Sequence, residues 1–142
     1  MSNYDPVIEP EQFAITLDEI LKGIPIELLP GLQKAVRKSA RKGRRSVKAN
    51  ARKAGFRLAT SKGPSKTAST YIKGWSYRMK SNSDGAAAEI GNEEFPGLAH
   101  LLEKGHARVG GGRVQAYPHI KQAAQDAENV LVEEVLKAVD EL

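Results

Sequence analysis

Between Leu32 and Ala54 the apolar and small residues Leu32, Val36, Ala40, Gly43, Val47, Ala51 and Ala54 recur every three or four positions. At 100° per residue they fall within an arc of about 100°. The ten Lys and Arg residues of positions 34–55 occupy the opposite side of the same projection, across about 180°. This separation predicts one long amphipathic helix. Its stripe is mostly Ala and Gly, which allows close backbone approach but buries little area, so the helix leans on a neighbouring surface for stability.

Other stretches read less regularly. Residues 1–12 form an extended lead-in broken by Pro6 and Pro10, and Thr16 with Glu19 fits a capping box opening a short helix through Leu17, Ile20 and Leu21 to Gly23. Residues 59–70, rich in Ser and Thr around Pro64, read as a loop. In 71–80, Tyr71, Trp75, Tyr77 and Met79 share one side at period two, the pattern of a strand. The Asn, Asp and Gly of 81–85 suit a hairpin turn, with 86–92 as the returning strand. A helix over 95–105 has Pro96 in its first turn and Gly105 as terminator. A glycine-rich loop and short strand fill 106–120. Beyond Pro118, the stripe Ala124, Ala127, Leu131, Val135, Ala138 and Leu142 predicts a C-terminal helix. The outcome is an α+β chain: an acidic segment over 1–30 with a short helix, then one α+β domain over 31–142.

Composition changes this picture only at a few points. With 142 residues, 40% of them hydrophobic, a single domain with a modest core is expected. The absence of cysteine rules out disulfides and thiolate metal sites. No apolar run approaches the roughly 18 residues that cross a bilayer, and the acidic start does not resemble a signal peptide. A soluble, unprocessed chain with no membrane partner is the expectation.

Charge changes more. The net charge of +5 hides a segregation: no acid lies between Glu27 and Asp84, and that span carries 16 of the 22 basic residues. The rest of the chain holds 6 bases against 17 acids, and residues 126–142 hold six acids against Lys137 alone. An all-positive helix face repels itself at i, i+4 and needs an anionic counterpart. One counterpart is a nucleic-acid backbone, although the aromatic interleaving of single-strand binders is missing. The other is an acidic protein surface, which this chain supplies. Copies meeting head to tail would set Arg37, Lys38, Arg41, Arg45, Lys48 and Arg52 against Glu128, Glu133 and Glu134 of the next C-terminal helix.

Catalytic and cofactor motifs carry little weight. A phosphate loop requires Lys then Ser or Thr after its last Gly, whereas Arg113 and Val114 follow Gly112. His100, His106 and His119 with Glu103 lack the spacing of a zinc motif. No Ser or Thr is tied to a His in sequence. No enzyme, metal or cofactor is expected.

The string PGLAHLLEKGHARVGGGRVQAYPHI before an acidic terminal helix resembles a tail-component family of long-tailed bacteriophages, whose members are also described as minor capsid, neck or tail-completion proteins. The matching residues are Leu102, Glu103, Gly105, His106, Gly111, Gly112, Pro118, His119 and Ile120. Upstream, GPSKTASTYIKGW is similar to the segment before that family's first strand, with Ala68 where the family often has Gly. The resemblance spans about residues 30–142. It implies a non-enzymatic virion protein made in the host cytoplasm, with a long helix and a C-terminal helix packed on a small antiparallel sheet and a short helix between strands. It also implies a ring, six-membered by family expectation, at the head–tail junction. Head-closure and tail-terminator or tail-tube proteins would flank it, and DNA would pass through without specific binding. The alternative from the residues themselves is a basic nucleic-acid-binding module using the helix over 34–57.

Overall fold

The computed structural model describes residues 12–16, 25–55, 59–60, 63–64, 66–80, 85–108 and 110–142. The elements follow in the order β1 (Gln12–Thr16), α1 (Leu29–Ala54), β2 (Ala59–Thr60), β3 (Gly63–Pro64), α2 (Lys66–Lys73), β4 (Trp75–Met79) and β5 (Ala87–Asn92). Then come α3 (Pro96–Lys104), β6 (His106–Ala107), β7 (Arg113–Val114) and α4 (Ile120–Asp140). The protein is α+β, built around α1. No helix among the described residues is long and apolar enough to cross a membrane.

α1 is 26 residues long, about 39 Å at 1.5 Å per residue. Pro30 sits in its first turn, where the missing N–H has no helical partner to lose. Gly55 ends it in a left-handed conformation (φ 64°, ψ 23°), and Arg52 and Lys53 in the last turn suit the negative end of the helix dipole. The buried stripe is wider than its apolar residues suggest, because Ala35, Ser39 and Ser46 are buried beside Leu32, Val36, Ala40, Gly43, Val47 and Ala51.

The extra width is the seam with α4, which runs antiparallel to α1. A Cβ on Gly31 would come within 2.9 Å of the Ala138 Cβ. Further along, the Ser39 hydroxyl donates to the Ala127 carbonyl at 2.6 Å and the Asn50 amide donates to the His119 carbonyl at 3.2 Å. Small residues on both helices let the backbones close in. Each buries less than the roughly 1.5–3 kcal/mol worth of a Leu or Val, and the dense contact between backbones compensates.

α1 also packs on the antiparallel sheet β1–β5–β4, in which β5 is central. Phe13 pairs with Ile90 on one side of β5, and Trp75 with Asn92 and Met79 with Ala88 on the other. Ala88, Ile90 and Asn92 alternate inward along β5, as period two requires. Two short hairpins, β2–β3 and β6–β7, stand apart from this sheet.

Three expectations change. Thr16 is the last residue of β1, paired with Ala87, so the segment before residue 31 contributes a strand to the same sheet; the short helix expected over 17–23 lies outside the described residues. The expected loop over 59–70 contains β2, β3 and the start of α2. Tyr71 belongs to α2 and only Trp75–Met79 is strand. Ser and Thr lose only tenths of a kcal/mol in a helix, and the burial of Tyr71 outweighs that.

Candidate functional site

Two polar constellations stand out, one closed and one open. The closed one sits where α4 begins. Glu103, near the end of α3, accepts the backbone N–H groups of His119 (2.7 Å) and Ile120 (2.8 Å) through Oε1 and that of Lys121 (3.1 Å) through Oε2. A carboxylate from another helix thus caps α4, where orphan N–H groups and the helix dipole favour negative charge. Partial burial works to raise the Glu103 pKa, but the His119 ring and these three backbone donors outweigh it and hold the pKa at about 2.

His119 is buried beneath this cap. Its Nδ1 lies 2.7 Å from the Tyr117 carbonyl and 3.2 Å from Glu103 Oε1, both acceptors, so Nδ1 carries the proton. Nε2 is then free to accept from the Tyr71 hydroxyl at 2.6 Å. Burial first, and the Glu103 charge second, raise the Tyr71 pKa above its ordinary value, against a smaller opposing effect of the Trp75 indole. Tyr71, Trp75 and His119 meet edge to face, with centroids 5.8–6.1 Å apart. Asn92 extends the network. Its amide donates to the Tyr71 carbonyl at 2.6 Å, and its Oδ1 accepts Glu94 N–H (3.1 Å) and Phe95 N–H (2.9 Å) at the entry to α3.

This hub gathers much of the motif. Leu102 accepts the Tyr117 N–H at 2.6 Å. Gly105 has φ 70° and ψ 178°, and a Cβ there would fall 2.5 Å from the Val114 carbonyl oxygen, so glycine is needed for both conformation and space. Gly111 and Gly112 have φ of 112° and 80° at the tip of the β6–β7 hairpin, with open space around them. A strand–loop–strand tip has no helix N-terminus behind it to hold a phosphate. His106 pairs with Val114 across this hairpin, and Pro118 is exposed just ahead of the hub. Among the described residues no group of three or more His, Asp or Glu side chains could hold a metal ion. Both His119 nitrogens are already engaged.

The open constellation is a cleft of about 780 Å³ along the cationic side of α1, lined also by Tyr77 of β4 and by Val130 and Glu134 of α4. Arg41 Nε donates to the Tyr77 hydroxyl and Arg44 Nε to the Trp75 carbonyl, both at 3.1 Å, which fixes both guanidinium groups. Lys38 pairs with Glu134 at 3.1 Å within the same chain. Lys42, Arg45 and Lys48 also line the cleft and have no ion pair among the described residues. Partial burial first, and then the neighbouring Arg44 and Arg52 charges, push the Lys48 pKa down.

The structure therefore brings Lys38, Arg41, Arg45 and Lys48 to one cleft and leaves Arg37 and Arg52 exposed on α1 outside its lining. Of the three expected acids, Glu134 faces the cleft of its own chain, Glu133 pairs with Lys137 at 3.5 Å, and Glu128 is exposed. Sequence reasoning missed Asn92, Tyr71 as a hub residue, and Ser39. The outer face of α4 was also missed: Val132, Leu136 and Val139 are 55%, 60% and 47% exposed. Together they form one exposed apolar row on the helix.

Fold and site together define an α+β protein with a sealed polar hub and a cationic cleft only partly neutralised by Glu134. In comparisons with known proteins, no family model, no curated protein and no solved structure matches the chain.

Proposed function

We propose that the protein is a non-enzymatic structural subunit of the head–tail junction of a tailed phage, a neck or tail-completion component that assembles with copies of itself into a ring. The resemblance of residues 102–120 supplies the biological setting. The observation that carries the self-assembly is the uncovered row Val132, Leu136 and Val139 on α4. In this reading the subunits are made in the host cytoplasm and end in the virion, six to a ring, between head-closure and tail-terminator or tail-tube proteins. Each phosphate contact releases counterions and must be broken again when DNA moves, so α1's cations face protein or the outer surface, and DNA traverses the ring without specific binding. Native mass spectrometry and negative-stain microscopy over a concentration series test the proposal. Rings with a central channel are expected; a monomer at every concentration that also fails to enter particles refutes it.

A second reading, a nucleic-acid-binding module, is favoured by Lys42, Arg45 and Lys48 in the cleft. It requires micromolar or tighter duplex binding. Neutralising about six phosphates would weaken that binding about 10³-fold between 50 and 200 mM salt. A mobility-shift titration across that range separates the two readings.

A further inference from the structure

We infer that the cationic cleft on α1 receives the outer face of α4 from a second copy of the chain, an arrangement that rests on the self-assembly reading and specifies its contact. Projected at 100° per residue, Val132, Leu136 and Val139 span about 60° of α4. The outer face is thus an apolar row with Glu128 on one side and Glu133 and Asp140 on the other. The cleft is its complement: Tyr77 and Val130 line it together with Arg41, Arg45 and Lys48.

The chain cannot satisfy itself in this way. Val130 and Glu134, which face the cleft, lie about half a turn around α4 from the outer row. One molecule's row therefore points away from its own cleft, and the contact must join two different surfaces on two copies. Such a heterologous contact repeats until it closes a ring or runs on as a filament. A phosphodiester strand would leave the apolar row on α4 bare. A helix presenting carboxylates around Leu136 uses the apolar and the cationic parts of the cleft together. One helix face of about 10 by 30 Å offers about 300 Å², well short of the roughly 800 Å² per partner of a stable interface. The single contact is therefore weak and charge-steered, and closure of the assembly stabilises it.

A charge swap tests the contact, read by sedimentation velocity at about 50 and 150 mM salt. The cleft variant Arg45→Glu/Lys48→Glu and the helix variant Glu128→Lys/Asp140→Lys should each raise the concentration needed for assembly at least tenfold. All four side chains are free of ion pairs among the described residues, so circular dichroism and thermal unfolding should match the parent protein. Leu136→Lys, at the centre of the row, should do the same without touching the acids. The chain carrying all four substitutions should recover assembly to within about threefold of the parent. If both double variants assemble as the parent does, the cleft is not the docking place, although self-assembly stands. Loss in the double variants with no recovery in the fourfold one also overturns the contact. A parent protein that never assembles overturns the structural-subunit reading itself.

Discussion

The two polar regions of this molecule treat charge in opposite ways. At the start of α4, Glu103, His119, Tyr71 and Asn92 are wired to one another and to backbone groups of three separate segments. Along α1, three of the cleft cations are held by Tyr77, Trp75 and Glu134, and the remaining three have no partner among the described residues. The region that looks most like a signature in sequence is thus spent on holding the fold together. The region that reads as a plain charge run keeps its interactions in reserve. A recognisable string of His, Gly and Glu locates architecture here, whereas the unspent charge of the cleft and the uncovered row on the far side of α4 are what the proposed assembly would use.

Substitutions should divide along the same line, with the hub governing stability and the cleft governing association. The largest effect is expected from His119→Ala. It opens a cavity, strips the Tyr71 hydroxyl of its acceptor and removes a donor to Glu103, for a loss of about 3–5 kcal/mol in urea unfolding. That is a large share of the roughly 5–15 kcal/mol typical of a domain. A loss below about 1 kcal/mol would dissolve the contrast. Gly105→Ala comes next, at about 2–4 kcal/mol, from a backbone region that only glycine tolerates and the collision with the Val114 carbonyl.

Glu103→Gln sharpens the contrast through pH. At pH 7 the variant should be about 1–2 kcal/mol less stable, having exchanged charge-assisted bonds at the α4 cap for neutral ones. The folded-state pKa of about 2 lies below that of the unfolded chain. The unfolded state therefore takes up the proton first, and this contribution is present above about pH 5 and fades as pH falls toward 2. Unfolding free energies of parent and variant should converge across that window. A gap that stays constant would mean the carboxylate charge is not what caps α4. The smallest effect belongs to Lys38→Ala: its pair with Glu134 is solvent-exposed, so the unfolding midpoint should not move measurably.

Much of the fold is legible in residue periodicity because α1, β4, β5, α3 and α4 each bury one side. What escapes is polar residues that turn inward and apolar ones that turn outward. Ser39 and Ser46 look like part of a wet face, yet their small size is what admits α4. α2 hides because Thr67, Ser69 and Thr70 read as loop chemistry, and its buried Tyr71 fits the alternation of the next strand. β1 hides because Thr16 also serves as a plausible helix cap. The cations of the cleft could be placed on one helix side from spacing alone. The reach of Glu103 to His119, 16 residues on, leaves no periodic trace, so the hub is visible before folding only as a string of letters.

The seam between α1 and α4 also bears on how the molecule comes into being. Ser39 and Ala127, which touch across it, are 88 positions apart along the chain. Until α4 arrives, α1 is a polycation whose packing side offers mostly methyl-sized groups, too little to nucleate collapse by itself. Closure of so long a loop has to be met before those contacts form, and non-local pairing of this kind slows folding. A polypeptide ending after α3 would keep the sheet to pack on α1 but would leave the seam around Ser39 uncovered. Docking of α4 is therefore the late, long-range step that completes the burial of α1.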